Sequence, residues 1–288
     1  MISLLLTACE LGLIYSLVAM GIYLSFRVIN FPDLTVDGTF ALGSAVATVL
    51  ITNGMNPWFA TLAAVFAGAV FGGITAILHT RFGIMELLCG ILTMTALYSI
   101  NLRIMGQPNI TITETTIFFD SNYQLIILIV IACAGYAVLA GFLKSRLGLA
   151  MRASGANPKV ASAFGVSVKN MQLAGLMISN GMVALAGALF AQAAGFADIS
   201  VGLGTLIVGL AAVMIAEAMV HSQRVAFALA ACIVGSVFYR IVVAFALDAH
   251  VIGLRATDLN LITAVLVGIA LILPRLRKRL SLRTKSPA

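Results

Sequence analysis

Residues 31–40, Phe31 to Phe40, read FPDLTVDGTF and lie between two strongly apolar runs. Two aspartates, two threonines, a proline and a glycine stand where the flanking sequence is almost free of charge. Pro32 cannot continue a helix, because it lacks the N–H donor and clashes with the preceding turn. An Asp or Thr beyond it can start a new helix by accepting bonds from the first free N–H groups. The decapeptide therefore reads as a break followed by a restart. Two settings fit such a break. One is an ordinary polar turn at the cytoplasmic membrane surface. The other is a discontinuous helix inside the membrane. Non-helical backbone survives there only when buried in protein or lining a wet cavity, and such helices recur at transport sites.

The flanking sequence supplies the membrane. Of 288 residues, 61% are hydrophobic and only 9% charged; the mean hydropathy is +1.11. A soluble domain is about a quarter charged. Nine apolar segments are long enough, or nearly so, to span a bilayer: 2–24, 37–52, 58–78, 84–105, 123–143, 170–194, 203–220, 225–247 and 259–274. The second and seventh are short and rich in Gly, Ser and Thr, as broken helices would be. The expected fold is an all-α polytopic membrane protein of about 8–10 transmembrane helices. One transmembrane domain fills residues 1–288, since no gap between segments is long enough for a soluble one.

The basic residues orient the chain. With the N-terminus outside, the inner face holds Arg27, Arg81, Lys144, Arg146, Arg152, Lys159, Lys169, Arg224, Arg275, Arg277, Lys278, Arg279, Arg283 and Lys285, fourteen of the seventeen Lys and Arg. The positive-inside rule then puts the C-terminus and the basic tail 275–288 in the cytoplasm. The net charge of +7 is thus a topology signal and not a nucleic-acid footprint. The tail itself reads as a topology anchor at the lipid surface. The external segments carry Glu114, Asp120, Asp248 and Asp258.

The break has an echo. ADISVGLGTLIVGLAAVMI at 197–215 follows the order of PDLTVDGTFALGSAVATVL at 32–50: Asp, apolar, Ser or Thr, Val, glycine, then a short span of small residues. The orientation puts Asp33 on the cytoplasmic side and Asp198 on the external side. A motif repeated on opposite faces is what an internal inverted repeat produces.

No catalytic chemistry is legible. The chain has no G-x-x-x-x-G-K-[ST] loop for holding nucleotide phosphates. His79, His221 and His250 are scattered near span ends, and Cys9, Cys89, Cys133 and Cys232 form no C-x-x-C pair, so no metal site is expected. Energy for transport must come from a partner or from an ion gradient. For the second case, an ion-coupled secondary transporter, the carboxylates within or beside spans are Glu10, Glu86 and Glu217, with Arg240 expected to pair with Glu217. A non-transporting scaffold would leave the broken helices without a role.

The longest inside segment, 144–169, reads KSRLGLAMRASGANPKVASAFGVSVK. Asn157-Pro158 suits an N-cap and first helical position. Val160, Ala163 and Phe164 would share a face, and Gly165 would end the helix. The stretch GLAMRASGANPKVASAFGVSVKNMQ resembles the coupling-helix region of ABC importer permeases of the branched-chain amino acid and ribose group. KVASAFG at 159–165 occupies the place of the EAA-x-x-x-G motif of related importers, departing at Lys159, where that motif has Glu. DLTVDG resembles the D-L-S-V-G element of sugar permeases after their first span. GILTMTALYSINLRIMG at 90–106 is similar to a subgroup that serves amino acid uptake, aromatic amino acids among them.

This resemblance implies the permease subunit of an ATP-driven importer in the inner (plasma) membrane. It would form the pathway for a small solute, an amino acid, delivered by an external binding protein. Two copies would pair as a homodimer, and cytoplasmic ABC ATPase subunits would carry ATP and Mg, leaving no cofactor on this chain. It further implies a pathway lined by Asp33, Thr35, Asp37 and Thr39 at the first break and by Asp198 and Ser200 at the second. Thr93, Thr95 and Asn101 would face it from the fourth span. Coupling to the ATPase would rest on Arg152, Asn157, Pro158, Lys159, Ala161, Phe164 and Gly165.

Overall fold

The computed structural model describes residues 2–112, 124–219 and 225–248, with Gly268. The expected ninth span at 259–274, the tail 275–288, and Glu114, Asp120, His221, His250 and Asp258 lie outside the described residues. Ten helices follow in order: α1 (Ile2–Ile22), α2 (Thr35–Thr52), α3 (Pro57–Thr80), α4 (Glu86–Met105), α5 (Gln124–Lys144), α6 (Arg146–Ala156), α7 (Pro158–Ala163), α8 (Val168–Ala194), α9 (Thr205–Met219) and α10 (Val225–Asp248). Two three-residue strands, β1 (Asn109–Thr111) and β2 (Phe196–Asp198), pair antiparallel with Asn109 opposite Asp198. Among the described residues, seven helices are long and apolar enough to cross a membrane. The chain is an all-α polytopic membrane protein.

α8 is the hub. It packs against α3, α2 and α1 through small residues that let backbones approach. A Cβ on Gly43 would lie 2.1 Å from the Ala184 carbonyl oxygen, and one on Gly187 would lie 2.0 Å from that of Phe40. On α3, Gly72 would meet Leu176 O at 2.3 Å. α2 and α8 run in the same direction, since Asp33 reaches Asn180, Gly43 meets Ala184 and Ala47 packs with Ala188. α1 packs against α10 and α9 on the other flank.

The first span does not stop at residue 24 as its hydropathy suggested. It continues as a π-helical turn over Tyr23–Val28. The Gly21 carbonyl accepts the Ser179 hydroxyl at 2.7 Å, and Ser25 Oγ turns back on Gly21 and Ile22. Hydroxyls inserted into the carbonyl ladder push the backbone bonds to a wider spacing, so Ile29 N donates to Leu24 O. Asn30, at φ 54°, then reverses the chain into the break.

Candidate functional site

The first break lies inside the helix bundle and not at a membrane surface. Asp33 is fully buried. Its carboxylate accepts the Thr35 N–H at 2.8 Å and the Asn180 side-chain amide at 2.6 Å, near the middle of the 27-residue α8. Of the two settings that fit the break, the surface turn is thereby removed and the break inside the protein stands. The reason is tertiary: Asn180, the amide at the middle of α8, offers the carboxylate a donor at that depth. Asn180 Oδ1 in turn accepts the Thr39 hydroxyl at 2.8 Å.

A hydroxyl relay extends from the same turn. Thr35 Oγ1 lies 2.9 Å from Thr75 Oγ1, which lies 3.0 Å from Thr93 Oγ1. Asn101 donates to the Gly38 carbonyl at 3.3 Å. The structure thus brings Asp33, Thr35, Thr39, Thr93 and Asn101 onto one buried polar seam between α2, α3, α4 and α8. Thr95 is not part of it. It is exposed on the other face of α4 and its hydroxyl bonds the Ile91 carbonyl. Asn180 and Thr75 were missed by sequence reasoning. Asn180, an amide in the middle of the run 170–194, was the available signal; Thr75 offered none.

The second break repeats the local geometry of the first. Asp198 Oδ1 accepts the Ser200 N–H at 2.7 Å and also the Ser200 hydroxyl, the same two-residue turn that Asp33 makes with Thr35. Here the turn is half-exposed beside the β1–β2 pair, where Asn109 reaches Asp198. Six residues, 199–204, then lead back into the bundle to the 15-residue α9. At about 1.5 Å per residue its described residues reach less than the hydrocarbon core of about 30 Å.

The two restarts meet at Asp37. Its carboxylate, in the first turn of α2, accepts Leu206 N–H at 2.7 Å and Gly204 N–H at 3.2 Å, at the start of α9. A Cβ on Gly202 would lie 2.0 Å from the Asp37 carbonyl oxygen. Helix N-termini carry partial positive charge. One carboxylate in the first turn of α2 therefore also serves the positive end of α9, the arrangement expected when two broken helices converge.

At the opposite end from the strand pair, α6 and α7 form a bent helical pair. Asn157 caps α7, accepting Val160 N–H at 3.2 Å, with Pro158 in the first turn. Gly165, at φ 80°, ends the segment. Ala161 is buried, while Lys159 and Val160 are exposed and Phe164 is 83% exposed. Arg152 is half-buried on α6. A cleft of about 910 Å³ opens between α7, the α3–α4 turn and the start of α8. On the inner face of the pair, a Cβ on Gly155 would lie 1.9 Å from the Val28 carbonyl oxygen, and Gly175 backs onto Ile29. The helical pair thus rests on the π-helical turn that feeds Asp33.

The remaining charges are placed differently from expectation. Glu217 pairs with Arg27, not with Arg240. α9 runs alongside α1, so its end reaches the π-helical turn. Arg240 instead stacks over the Tyr15 ring, 3.9 Å from its centroid. Glu86 lies 3.7 Å from His79, and Gln124 donates to Glu10 at 3.4 Å.

Comparison with known proteins bears on this geometry. The family model described as branched-chain amino acid transport system, permease component, matches residues 4–273. A tyrosine transport system permease protein of Clostridioides difficile (strain R20291) is 38% identical over 259 residues, 89% of this chain and 86% of that one. Protein RP368 of Rickettsia prowazekii (strain Madrid E) is 35% identical over 276 residues, 93% of this chain and 97% of the relative. Among solved structures, PsaBC from Streptococcus pneumoniae in complex with Fab shares the fold, with a TM-score of 0.55 at 16% identity, covering 93% of this chain and 89% of that chain.

Proposed function

The chain belongs to the family of branched-chain amino acid transport system permease components, and from that membership we propose that it forms the pathway of an ATP-driven amino acid importer. The meeting of the α2 and α9 starts at the Asp37 carboxylate carries this reading. It places a polar junction inside an apolar bundle, where a solute must pass. The tyrosine permease relative supports an aromatic amino acid as the cargo.

The driving force reaches the junction through α6 and α7. An ABC ATPase, with ATP and Mg bound on that partner, docks against the exposed Val160 and Phe164 face and the cleft beside it. Closing the ATPase pair shifts α6. Gly155 leaves no side chain between α6 and Val28, so the shift passes to the π-helical turn and on to Asp33. An external binding protein delivers the solute on the side of the strand pair. A second copy of the chain completes the transporter as a homodimer, with the C-terminus in the cytoplasm of an inner-membrane system. The ion-coupled alternative gains no support from the carboxylates, since Glu217, Glu86 and Glu10 each already have a partner.

The test is co-purification. The tagged chain, extracted in mild detergent from its host, is expected to bring a nucleotide-hydrolysing subunit with it. Ala161→Asp, which puts a charge at a buried contact of α7, and Gly165→Leu, which strains a left-handed residue, should abolish transport-coupled hydrolysis while the permease stays folded. A homo-oligomer with no nucleotide-binding partner would overturn the reading.

A further inference from the structure

Ser and Thr inside a helix ordinarily turn their hydroxyls back to a carbonyl three or four residues earlier. This chain follows that habit at Ser16, Thr61, Thr75, Thr80, Thr93 and Thr95. Two buried hydroxyls inside α2 break it, and a third, at the first position of α9, is also unpaired. Ser44, Thr48 and Thr205 are 0%, 0% and 1% exposed, and none of their oxygens has a hydrogen-bond partner. Buried polar atoms are nearly always paired, so a group of exceptions asks for a cause.

Their positions supply it. At about 100° per residue, Asp37, Ala41, Ser44 and Thr48 fall within a stripe about 60° wide on α2. Thr205 opens α9, between the two residues whose amides hold Asp37. The segment Ile199–Gly204 meets the Asp37 end of this stripe: a Cβ on Gly202 would stand 2.0 Å from the Asp37 carbonyl oxygen and 3.4 Å from Ala41 Cβ. No ion pair among the described residues involves Asp37.

We propose that the Asp37–Ser44–Thr48 stripe, with Thr205, is a binding lane for a primary ammonium group, covered in this conformation by Ile199–Gly204. The chemistry matches in kind, at successive points along the lane. An ammonium has three donors and no acceptor. The lane offers a carboxylate and hydroxyl oxygens with free lone pairs. When the cover lifts, the Asp37 carboxylate loses its two amides and becomes available to the cation. This deepens the permease reading and rests on it, since the ammonium is that of an amino acid in transit.

The test uses cysteine reactivity in the full complex with its ATPase. Ser44→Cys and Thr48→Cys are placed singly in a background where Cys9, Cys89, Cys133 and Cys232 are alanine, with Val138→Cys on the exposed face of α5 as the control. Each is treated with a trimethylammonium-ethyl or a sulfonatoethyl methanethiosulfonate, without nucleotide and after trapping with ATP and vanadate. Both lane positions are expected to be protected in one state and labelled in the other. The cationic reagent should react about tenfold faster than the anionic one, and Asp37→Asn should erase that preference. Ala41→Cys, on the same stripe, gives the same readout if Ser44→Cys fails to assemble. No labelling in either state overturns the lane but leaves the permease reading intact if the ATPase still co-purifies. Equal rates for the two reagents overturn the ammonium assignment. Cation-selective labelling indifferent to nucleotide keeps the lane and overturns the ATP-driven reading.

Discussion

The two breaks share a turn and differ in everything around it. At the first, Asp33 is sealed in the bundle, holds Asn180, and α2 begins two residues later. At the second, Asp198 is half-exposed beside a short strand pair, and six residues intervene before α9. The local motif, Asp accepting the N–H two residues on, is written in both sequences. What the motif does is decided by the neighbour it meets. With Asn180 it becomes a fixed anchor between α2 and α8. At Asp198 the amide is that of the exposed Asn109, at 3.4 Å, and the turn becomes the rim of a segment that folds over Asp37. One repeat element thus supplies a frame and the other a cover.

The sharpest way to break this contrast is at Asn180. Asn180→Leu leaves a buried carboxylate with one donor in place of two, and should cost about 3 kcal/mol. Thermal unfolding in detergent reads this directly; an unchanged midpoint would remove Asp33 as an anchor. Next comes Gly202→Val, which must push the cover off Asp37. The expected cost is about 1–3 kcal/mol, with faster proteolysis between Asp198 and Thr205; a cover as resistant as in the parent would contradict the close contact. Asp198→Ala should be milder, about 0.5–1 kcal/mol, because the lost bonds can be replaced by water. Equal losses for Asp198→Ala and Asp33→Ala would erase the distinction between the breaks. The smallest effect belongs to the far end of α9. A double-mutant cycle on Arg27 and Glu217, both partly exposed, should give about 0.2–1 kcal/mol, shrinking with salt. A larger, salt-insensitive coupling would mean that α9 is tied as firmly as α2.

Much of this was legible in the sequence, and the omissions have a common cause. Hydropathy located the spans because lipid exposure acts on whole segments. Pro32 with Asp33, and Asn157 with Pro158, marked helix starts because capping is local chemistry. The same reasoning left Asp33 between a surface turn and a buried break, because a carboxylate in lipid is costly and its remedy, Asn180, stands 147 residues away. It paired Arg240 with Glu217 because α9 and α10 adjoin; only the packing of α9 along α1 shows that Arg27 is nearer. Thr95 was grouped with Thr93 by proximity in sequence, yet residues two apart on a helix do not share a face. The lane hydroxyls were invisible for a different reason. A serine in an apolar run usually satisfies itself, and the exceptions can be found only by seeing which bonds are missing.

The π-helical turn at Tyr23–Val28 has a consequence for how this chain can change in length. A π turn holds about one residue more than an α turn. Deleting a single residue there would let α1 close into ordinary α geometry with all that follows kept nearly in phase, so Asp33 would still meet Asn180. The same deletion in the α-helical part of α1 would rotate all that follows by about 100° and swing Asp33 away from Asn180, although every side chain of the seam was still present. The π turn is thus the stretch of the first span where the residue count can change while the buried carboxylate keeps its aim.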